Sequence, residues 1–230
     1  MLAVAGFSAS TASYAHDASV SIVSGSARAG AGITSLRARR DAGVVRQRYD
    51  FSCGAAALAT LLTYGFEDSV DEEWLLRALL APLAENELGA LQKKGLSLLE
   101  LQALARLRGH EAQAFRVSLD QLAKLSRPVI VFVRPGGHNH FAVLKGVVGD
   151  RAYLADPSLG NVRMPLYRFR DMWADATGRG VIFAVEPKDG RWAASSPLTI
   201  KAAAKPAIEW SNVERLSTQA IPLPSITPNR

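Results

Sequence analysis

Apolar positions in the first half of the central region recur at helical spacing. Residues 53–64 (CGAAALATLLTY) form a compact apolar run, which predicts a buried helix. Residues 69–72 and 97–100 both read S-x-x-E, the pattern of a helix capping box, and open the segments DEEWLLRALL and LLELQALARLRG. A shorter helix is predicted over residues 119–125, where a following Arg-Pro pair ends it.

The pattern changes to that of strands in the second half. Residues 129–133 (VIVFV) are a continuous apolar run typical of a buried strand, and residues 180–185 (GVIFAV) predict another. Residues 141–148 and 151–155 predict two strands joined as a hairpin at residues 149–150 (GD). A helical lobe followed by an antiparallel sheet is an α+β fold.

Composition shifts at both ends of this region. Residues 16–43 are rich in Ala, Ser, Gly and Arg without a clear period, which predicts a linker or N-terminal arm. Six of the eleven prolines lie at or after position 187, so residues 187–230 are predicted to be a Pro-rich extension. The folded domain is therefore predicted to span residues 44–186.

The first residues have features of a targeting segment. Residues 1–15 contain no charged residue and carry small residues at Ser13 and Ala15, as before a signal-peptide cleavage site. We therefore predict a signal peptide and a periplasmic or otherwise exported protein. The positive charge that usually begins a signal peptide is missing, so an uncharged flexible leader is the alternative. The apolar stretch is too short to cross a membrane as a helix, and no transmembrane span is predicted.

Overall composition is that of an ordinary globular protein, with 48% hydrophobic and 21% charged residues in a chain of 230. The formal net charge is +6, but Lys and Arg are scattered, apart from a short run at Arg37, Arg39 and Arg40. The sequence has no basic stripe interleaved with aromatic residues, so nucleic acid is not a predicted partner.

The chain has one cysteine, Cys53, which excludes an intramolecular disulfide. It begins the predicted helix of residues 53–64, with Asp50 or Ser52 available as N-cap. Unpaired N–H groups and the helix dipole at this end stabilise a thiolate. A buried, inert cysteine is the competing interpretation, and the cysteine alone does not decide between the two.

A thiolate nucleophile needs a base, and the chain has four histidines. Two of them lie in the leader region and after a helix end, where neither is suited to catalysis. His138 and His140 lie in the loop PGGHNH, which enters the strand FAVLKGVV. Both have the same parity along the strand, so His138 competes with His140 for the role of base.

Two further groups could complete such a site. Asp156 ends the neighbouring predicted strand, opposite residues 142–143 and diagonal to His140, within reach of a hydrogen bond that would orient the imidazole. The side-chain amide of Gln47, six residues before Cys53, and the Cys53 backbone N–H are candidate donors to an oxyanion. Taken singly, a turn-capping Asp and a surface Gln are the plainer interpretations.

Together, these residues resemble the bacteriocin-processing C39 cysteine peptidases of the papain-like clan. The resemblance rests on Q-x5-C-G-x-A at residues 47–56, GLSLL at 95–99, HFAVL at 140–144 and DPSLG at 156–160, followed by Trp173 after a short helix. These motifs occur in the order of the family and extend over most of the predicted domain.

The resemblance implies a papain-like fold, with the nucleophile on the helical lobe and the His and Asp on the sheet. It implies Cys53 as nucleophile, His140 as base, Asp156 as orienting acid and Gln47 as oxyanion donor, while His138 has no assigned counterpart. The implied activity is that of a cysteine endopeptidase without metal or cofactor. The implied partner is a peptide or protein substrate such as a secreted precursor or leader peptide, with a Gly-Gly cleavage site carried over from the family.

Many members of this family are the N-terminal domain of an ABC exporter. This sequence has no membrane span and no G-x4-G-K-[ST] phosphate loop, so it looks like a stand-alone member. Some such members are encoded with secretion systems, including those for extracellular amyloid fibres, which makes a secretion apparatus a second candidate partner. Ser52 departs from the family, because many members have Asp before the nucleophile.

Two functions of other classes compete with proteolysis. A non-catalytic peptide- or leader-binding module is one, since the family includes inactive domains, although those typically lose the cysteine. An HNH-type nuclease is the other, suggested by residues 138–140 (HNH). The nuclease would need a ββα metal site with further ligands downstream, and the sequence shows no such ligands.

Overall fold

The computed structural model describes residues 18–22, 29–81 and 85–200. The chain divides into two compact units, residues 1–39 and residues 40–230, which are described separately. The first contains an antiparallel hairpin of β1 (Ala18–Ile22) and β2 (Ala29–Ile33), within a segment predicted to be a linker. The predicted signal peptide and the last thirty residues lie outside the described part of the chain.

In the described residues, a short helix, α1 (Leu36–Asp41), comes after this hairpin in the chain, and six further α-helices follow it. They are α2 (Cys53–Phe66), α3 (Glu72–Leu80), α4 (Glu85–Lys94), α5 (Leu98–Leu107), α6 (Leu119–Ala123) and α7 (Leu166–Trp173). The predicted apolar helix is therefore α2, and it begins at the cysteine as expected.

The two predicted capping boxes have different outcomes. At α5 the prediction is confirmed, because the Ser97 hydroxyl accepts from the Glu100 N–H and the Glu100 carboxylate accepts from the Ser97 N–H. At α3 it is wrong: Asp71 is the N-cap and accepts from the Trp74 N–H at 2.7 Å. The carboxylate of Glu72 cannot complete a box with Ser69 because it is buried and hydrogen-bonded elsewhere.

The second half forms a six-stranded antiparallel sheet in the order β3-β8-β4-β5-β6-β7. Its strands are β3 (Glu111–Ser118), β4 (Val129–Val133), β5 (His140–Val148), β6 (Arg151–Asp156), β7 (Gly160–Pro165) and β8 (Arg179–Glu186). The predicted α+β class and the β5–β6 hairpin are confirmed. The two edge strands, β3 and β7, were not predicted, because neither contains a long apolar run.

Both faces of the sheet are covered, which explains the continuous apolar sequence of β4. Val131 and Val133 belong to a hydrophobic cluster with residues of α6 and α7, whereas Ile130 belongs to a second cluster with residues of α2, α3 and α5. Burying each such side chain contributes roughly 1.5–3 kcal/mol. Small residues let α2 approach β5 closely: a Cβ added at Gly54 would lie 3.2 Å from the Phe141 ring.

The chain after β8 returns to α2. Leu198 is fully buried, the Ala193 N–H donates to the Gly65 carbonyl at 2.8 Å, and the Trp192 ring packs edge-on against Phe66 at 4.7 Å. The described fold therefore continues to residue 200, beyond the limit at residue 186 expected from the proline content. Aromatic and apolar side chains, rather than regular secondary structure, attach this segment.

Candidate active site

Cys53 is the first residue of α2 and is 5% exposed. Ser52 precedes it at the N-cap position, as one of the two predicted caps, but its side chain makes no capping hydrogen bond. The Ser52 hydroxyl instead contacts the Glu72 carboxylate and the Tyr49 carbonyl. The first turn of α2 therefore presents its N–H groups next to the sulfur without a side-chain cap, which favours negative charge there.

His140 begins β5, and its ring contacts an acid on the next strand. His140 Nε2 lies 3.0 Å from Asp156 Oδ2. Asp156 is the last residue of β6, and the pairing of Val143 with Ala155 puts it in the register predicted from the hairpin. The acid is thus diagonal to His140 across one strand pair.

Asp156 also organises the turn that follows it. Its Oδ1 accepts from the backbone N–H groups of Ser158 at 2.7 Å and Leu159 at 3.0 Å. The two interpretations of this Asp in the sequence, a turn cap and a partner for an imidazole, therefore apply at once, with one carboxylate oxygen used for each. The turn fixes the carboxylate, and the carboxylate fixes the ring of His140.

The imidazole of His140 lies between this carboxylate and the sulfur. Burial lowers the pKa of His140, but hydrogen bonds and charge from Asp156 and Cys53 outweigh burial and raise it to about 10. Since Nε2 faces Asp156, Nδ1 is the ring nitrogen left for Cys53. The structure therefore brings Cys53, His140 and Asp156 together in one chain of contacts.

Gln47 lines the same cleft and is held on three sides. Its backbone N–H donates to the Pro157 carbonyl at 3.1 Å, and its Oε1 accepts from the Ser158 hydroxyl at 2.7 Å. Its Nε2 donates to the Tyr49 carbonyl at 3.0 Å. These contacts fix which end of the amide carries the hydrogens, since Nε2 faces an acceptor and Oε1 faces a donor.

The remaining histidines are placed differently. His138 is exposed on the loop before β5, where it lines the cleft and its backbone N–H donates to the Pro135 carbonyl. His110 is buried; its Nε2 lies 3.0 Å from Asp68 Oδ2, and its Nδ1 accepts from the Lys188 N–H at 3.1 Å. Both ring nitrogens of His110 are therefore occupied in the core. His16 lies outside the described residues.

The cleft has a volume of about 940 Å³. Besides the residues above, its walls are formed by residues 92–95 at the end of α4 and by the loop before β5. A second cavity of about 540 Å³ adjoins it, sharing Lys94, Gly95 and Asn139, and is lined by apolar side chains that include Leu96 and Phe132. An extended peptide could therefore lie across the sulfur with an apolar residue in the neighbouring cavity.

Sequence reasoning missed two polar residues at this site. Ser158 binds Gln47, and its only sequence signal is its place in the turn after Asp156-Pro157. Glu72 binds the segment before Cys53, but its spacing from Ser69 predicted a helix cap instead. Among the described residues no group of three or more His, Cys, Asp or Glu is arranged to hold a metal ion.

Comparison with known proteins identifies the family of this chain. Residues 41–188 match the model of the peptidase C39 family. The chain belongs to this family. Within residues 18–22, 29–81 and 85–200, no helix is both long and apolar enough to cross a membrane.

Two curated relatives carry the name probable functional amyloid protease FapD. The Pseudomonas aeruginosa protein is 37% identical over 153 residues, 66% of this chain and 64% of the relative. The Pseudomonas fluorescens protein is 35% identical over 173 residues, 75% of this chain and 73% of the relative. The C39 chain thus spans somewhat less than two thirds of the P. aeruginosa relative.

Solved structures show the same fold. A double glycine motif protease from an AMS/PCAT transporter, crystallised with its leader peptide, is 30% identical, with a TM-score of 0.51 over 63% of this chain and 90% of that one. The peptidase domain of Streptococcus ComA is 22% identical, with a TM-score of 0.51 over 63% and 97% of the two chains. These matches confirm the predicted papain-like C39 fold.

Proposed function

We propose that this protein is an exported cysteine endopeptidase that cleaves a peptide bond in a secreted precursor or leader peptide. The observation that carries the proposal is the contact of the Cys53 side chain with His140, whose other ring nitrogen bonds Asp156. A sulfur, an imidazole and an orienting carboxylate in this sequence of contacts are the parts that nucleophilic acyl transfer requires.

The charge state of His140 supports this assignment. With a pKa raised to about 10, the ring stays protonated at neutral pH beside the sulfur. A thiolate paired with an imidazolium is the reactive form of a cysteine nucleophile, because the thiolate attacks and the imidazolium supplies the proton that the leaving group needs. Asp156 stabilises the charged ring and holds its orientation.

The reaction then has two steps. The Cys53 thiolate adds to the scissile carbonyl carbon, and the carbonyl electrons move to oxygen. As the oxyanion collapses, the C–N bond breaks, His140 donates its proton to the leaving amine, and a thioester remains. Water, deprotonated by His140, attacks the thioester; the C–S bond breaks, and the acid product and thiolate are released.

The oxyanion needs donors that already point at it. We assign this role to the Cys53 backbone N–H and the Gln47 side-chain amide. Gln47 Nε2 carries two hydrogens, and its bond to the Tyr49 carbonyl uses one, so the other is available to a ligand in the cleft. Such donors typically contribute about 10²–10³ in kcat each.

The substrate is proposed from the relatives and from the shape of the cleft. One relative is named a double glycine motif protease, and others are named probable functional amyloid proteases. We therefore expect cleavage after Gly-Gly in a protein exported together with this one, such as a component of a fibre-secretion system. The adjoining cavity around Leu96 and Phe132 suits an apolar residue on the same peptide.

The test uses Gly-Gly-containing precursors from the producing organism, with products read by mass spectrometry. Wild type should cleave after Gly-Gly, and Cys53→Ala should leave the precursor intact. His138→Ala and His140→Ala form a matched pair two residues apart: the first should stay active and the second should lose activity. Equal cleavage by wild type and Cys53→Ala would remove the cysteine mechanism, and binding without cleavage by wild type would indicate a leader-binding module.

A further inference from the structure

A buried carboxylate lies beside the segment that leads into α2. Glu72, the first residue of α3, is 3% exposed. In the part of the chain that the structure describes, it forms no ion pair with a basic side chain. Its neighbour Glu73 is exposed and pairs with the Arg48 guanidinium at 3.0 Å. The two adjacent glutamates therefore have different environments and different partners.

Glu72 binds backbone and hydroxyl groups of the segment between Gln47 and Cys53. The Arg48 N–H lies 3.0 Å from Oε1 and 3.2 Å from Oε2 of Glu72. The hydroxyl of Ser52, which is fully buried, also contacts Oε1. One carboxylate thus holds the residue after Gln47 and the residue before Cys53.

Burying the Glu72 carboxylate carries a cost in free energy. A buried carboxylate loses several kcal/mol of hydration, which only good hydrogen bonds and a favourable helix end offset. Hydrogen bonds to an ionised acceptor are shorter and about twice as strong as neutral ones, so they hold geometry tightly.

We propose that Glu72 and Ser52 are a positioning pair that holds the two oxyanion donors, the Gln47 amide and the Cys53 N–H, in place. The proposal rests on the function proposed above for Cys53 and Gln47. Neither residue of the pair contacts the reacting atoms: Glu72 binds the N–H of Arg48, which follows Gln47, and the hydroxyl of Ser52, which precedes Cys53. Glu72 brings its carboxylate to the entrance of α2 from a different helix, α3.

Two assays distinguish stabilisation of the oxyanion from reactivity of the thiolate. Peptide cleavage passes through an oxyanion, whereas alkylation of Cys53 by iodoacetamide does not and reports only on the thiolate. In full-length Glu72→Gln, kcat should fall about tenfold to a hundredfold with KM nearly unchanged, because the lost interaction exists only in the transition state. The alkylation rate should equal that of wild type. Glu73→Gln, the matched control on the adjacent residue, should match wild type in both readouts.

The kcat and alkylation rate of these variants decide whether Glu72 and Ser52 act as a positioning pair. An unchanged kcat in Glu72→Gln, or an equal loss of cleavage and alkylation, overturns it. If Glu72→Gln does not fold, Ser52→Ala replaces it; that variant keeps the Arg48 contact, so a smaller fall in kcat of about threefold to tenfold is expected, again without change in alkylation. Wild type and Cys53→Ala are run alongside: cleavage that does not depend on Cys53 refutes the proposed function, whereas Cys53-dependent cleavage that both variants leave unchanged refutes only the positioning pair.

Discussion

Replacing Asp156 by Asn tests how the imidazole of His140 is kept protonated. Burial lowers the pKa of His140, while hydrogen bonds and charge from Asp156 and Cys53 raise it from the ordinary 6.5 to about 10. Asn has nearly the shape of Asp and keeps polar atoms for the turn of residues 156–159, but it carries no charge. The variant therefore removes the electrostatic part of the His140–Asp156 contact and leaves Cys53 in place.

The size of the effect follows from this one contact. A hydrogen bond to a charged group contributes about 1.5–3 kcal/mol, and one pH unit corresponds to about 1.4 kcal/mol. We therefore expect the pKa of His140 to fall by about 1–2 pH units in Asp156→Asn. Because the imidazolium donates the proton to the leaving amine, cleavage is present below this pKa and is lost as the pH rises through it. The alkaline limit of kcat/KM should move down by the same amount.

The assay is the pH dependence of kcat/KM with a Gly-Gly-containing peptide, from pH 6 to about 10.5, where the His140 pKa of about 10 lies within range. Asp68→Asn is the control, because it removes the carboxylate from the other His–Asp contact, at His110, which does not line the cleft. That variant should lose stability and keep the alkaline limit of wild type. An alkaline limit that stays in place in Asp156→Asn would refute the assigned cause of the raised pKa.

Three further predictions concern stability, each measured by urea unfolding. Leu198→Ala should lower the free energy of unfolding by about 2–5 kcal/mol, because the side chain is fully buried. A loss below about 0.5 kcal/mol would mean that the chain after β8 does not pack on the domain in solution. Gly180→Ala should cost at least about 1–3 kcal/mol, since the new Cβ would lie 2.2 Å from the Trp173 ring. Gly89→Ala should be neutral or stabilising, because its Cβ meets nothing within 4 Å. Equal effects of the two substitutions on the free energy of unfolding would contradict the packing described. Burial lowers the pKa of Lys145 to about 8, so the unfolded state binds more protons between about pH 8 and 10.5 and this residue's contribution to stability rises with pH there. The stability of wild type relative to Lys145→Met should therefore increase between pH 8 and pH 10, by roughly 3 kcal/mol at most, and a constant difference would refute the burial of the charge.

Local patterns in the sequence were sufficient for the elements that carry the site. The apolar run of α2 and the apolar segments of β5 and β6 on either side of the Gly149-Asp150 turn are set by residues within a few positions of one another, so they can be predicted without the fold. The capping box at Ser97 is local in the same way and is confirmed. The box at Ser69 failed for a tertiary reason: Glu72 bonds to Arg48, twenty-four residues away, and is not available to its own helix end.

The weaker elements show the limit of such patterns. Strand β3 is mostly exposed, with only Ala112 buried, and β7 ends in a proline, so neither has the apolar run that marks a strand. Each is held by backbone pairing with a neighbour that is itself set by the sheet, β8 for β3 and β6 for β7. The packing of Leu198 on α2 was missed for the same kind of reason, because a proline-rich composition says nothing about distant partners.

The sequence by itself determined the family, the α+β class and a short list of reactive groups, since motif order and local periodicity are properties of the chain. It left two histidines as candidate bases and gave each polar residue a plain alternative. Only the tertiary structure decided that the His140 ring contacts both Cys53 and Asp156, that Gln47 is held by Ser158, 111 residues away, and that Glu72 faces inward. These contacts arise where a helical lobe packs against a sheet, and spacing along the chain does not encode which side chains meet across that boundary.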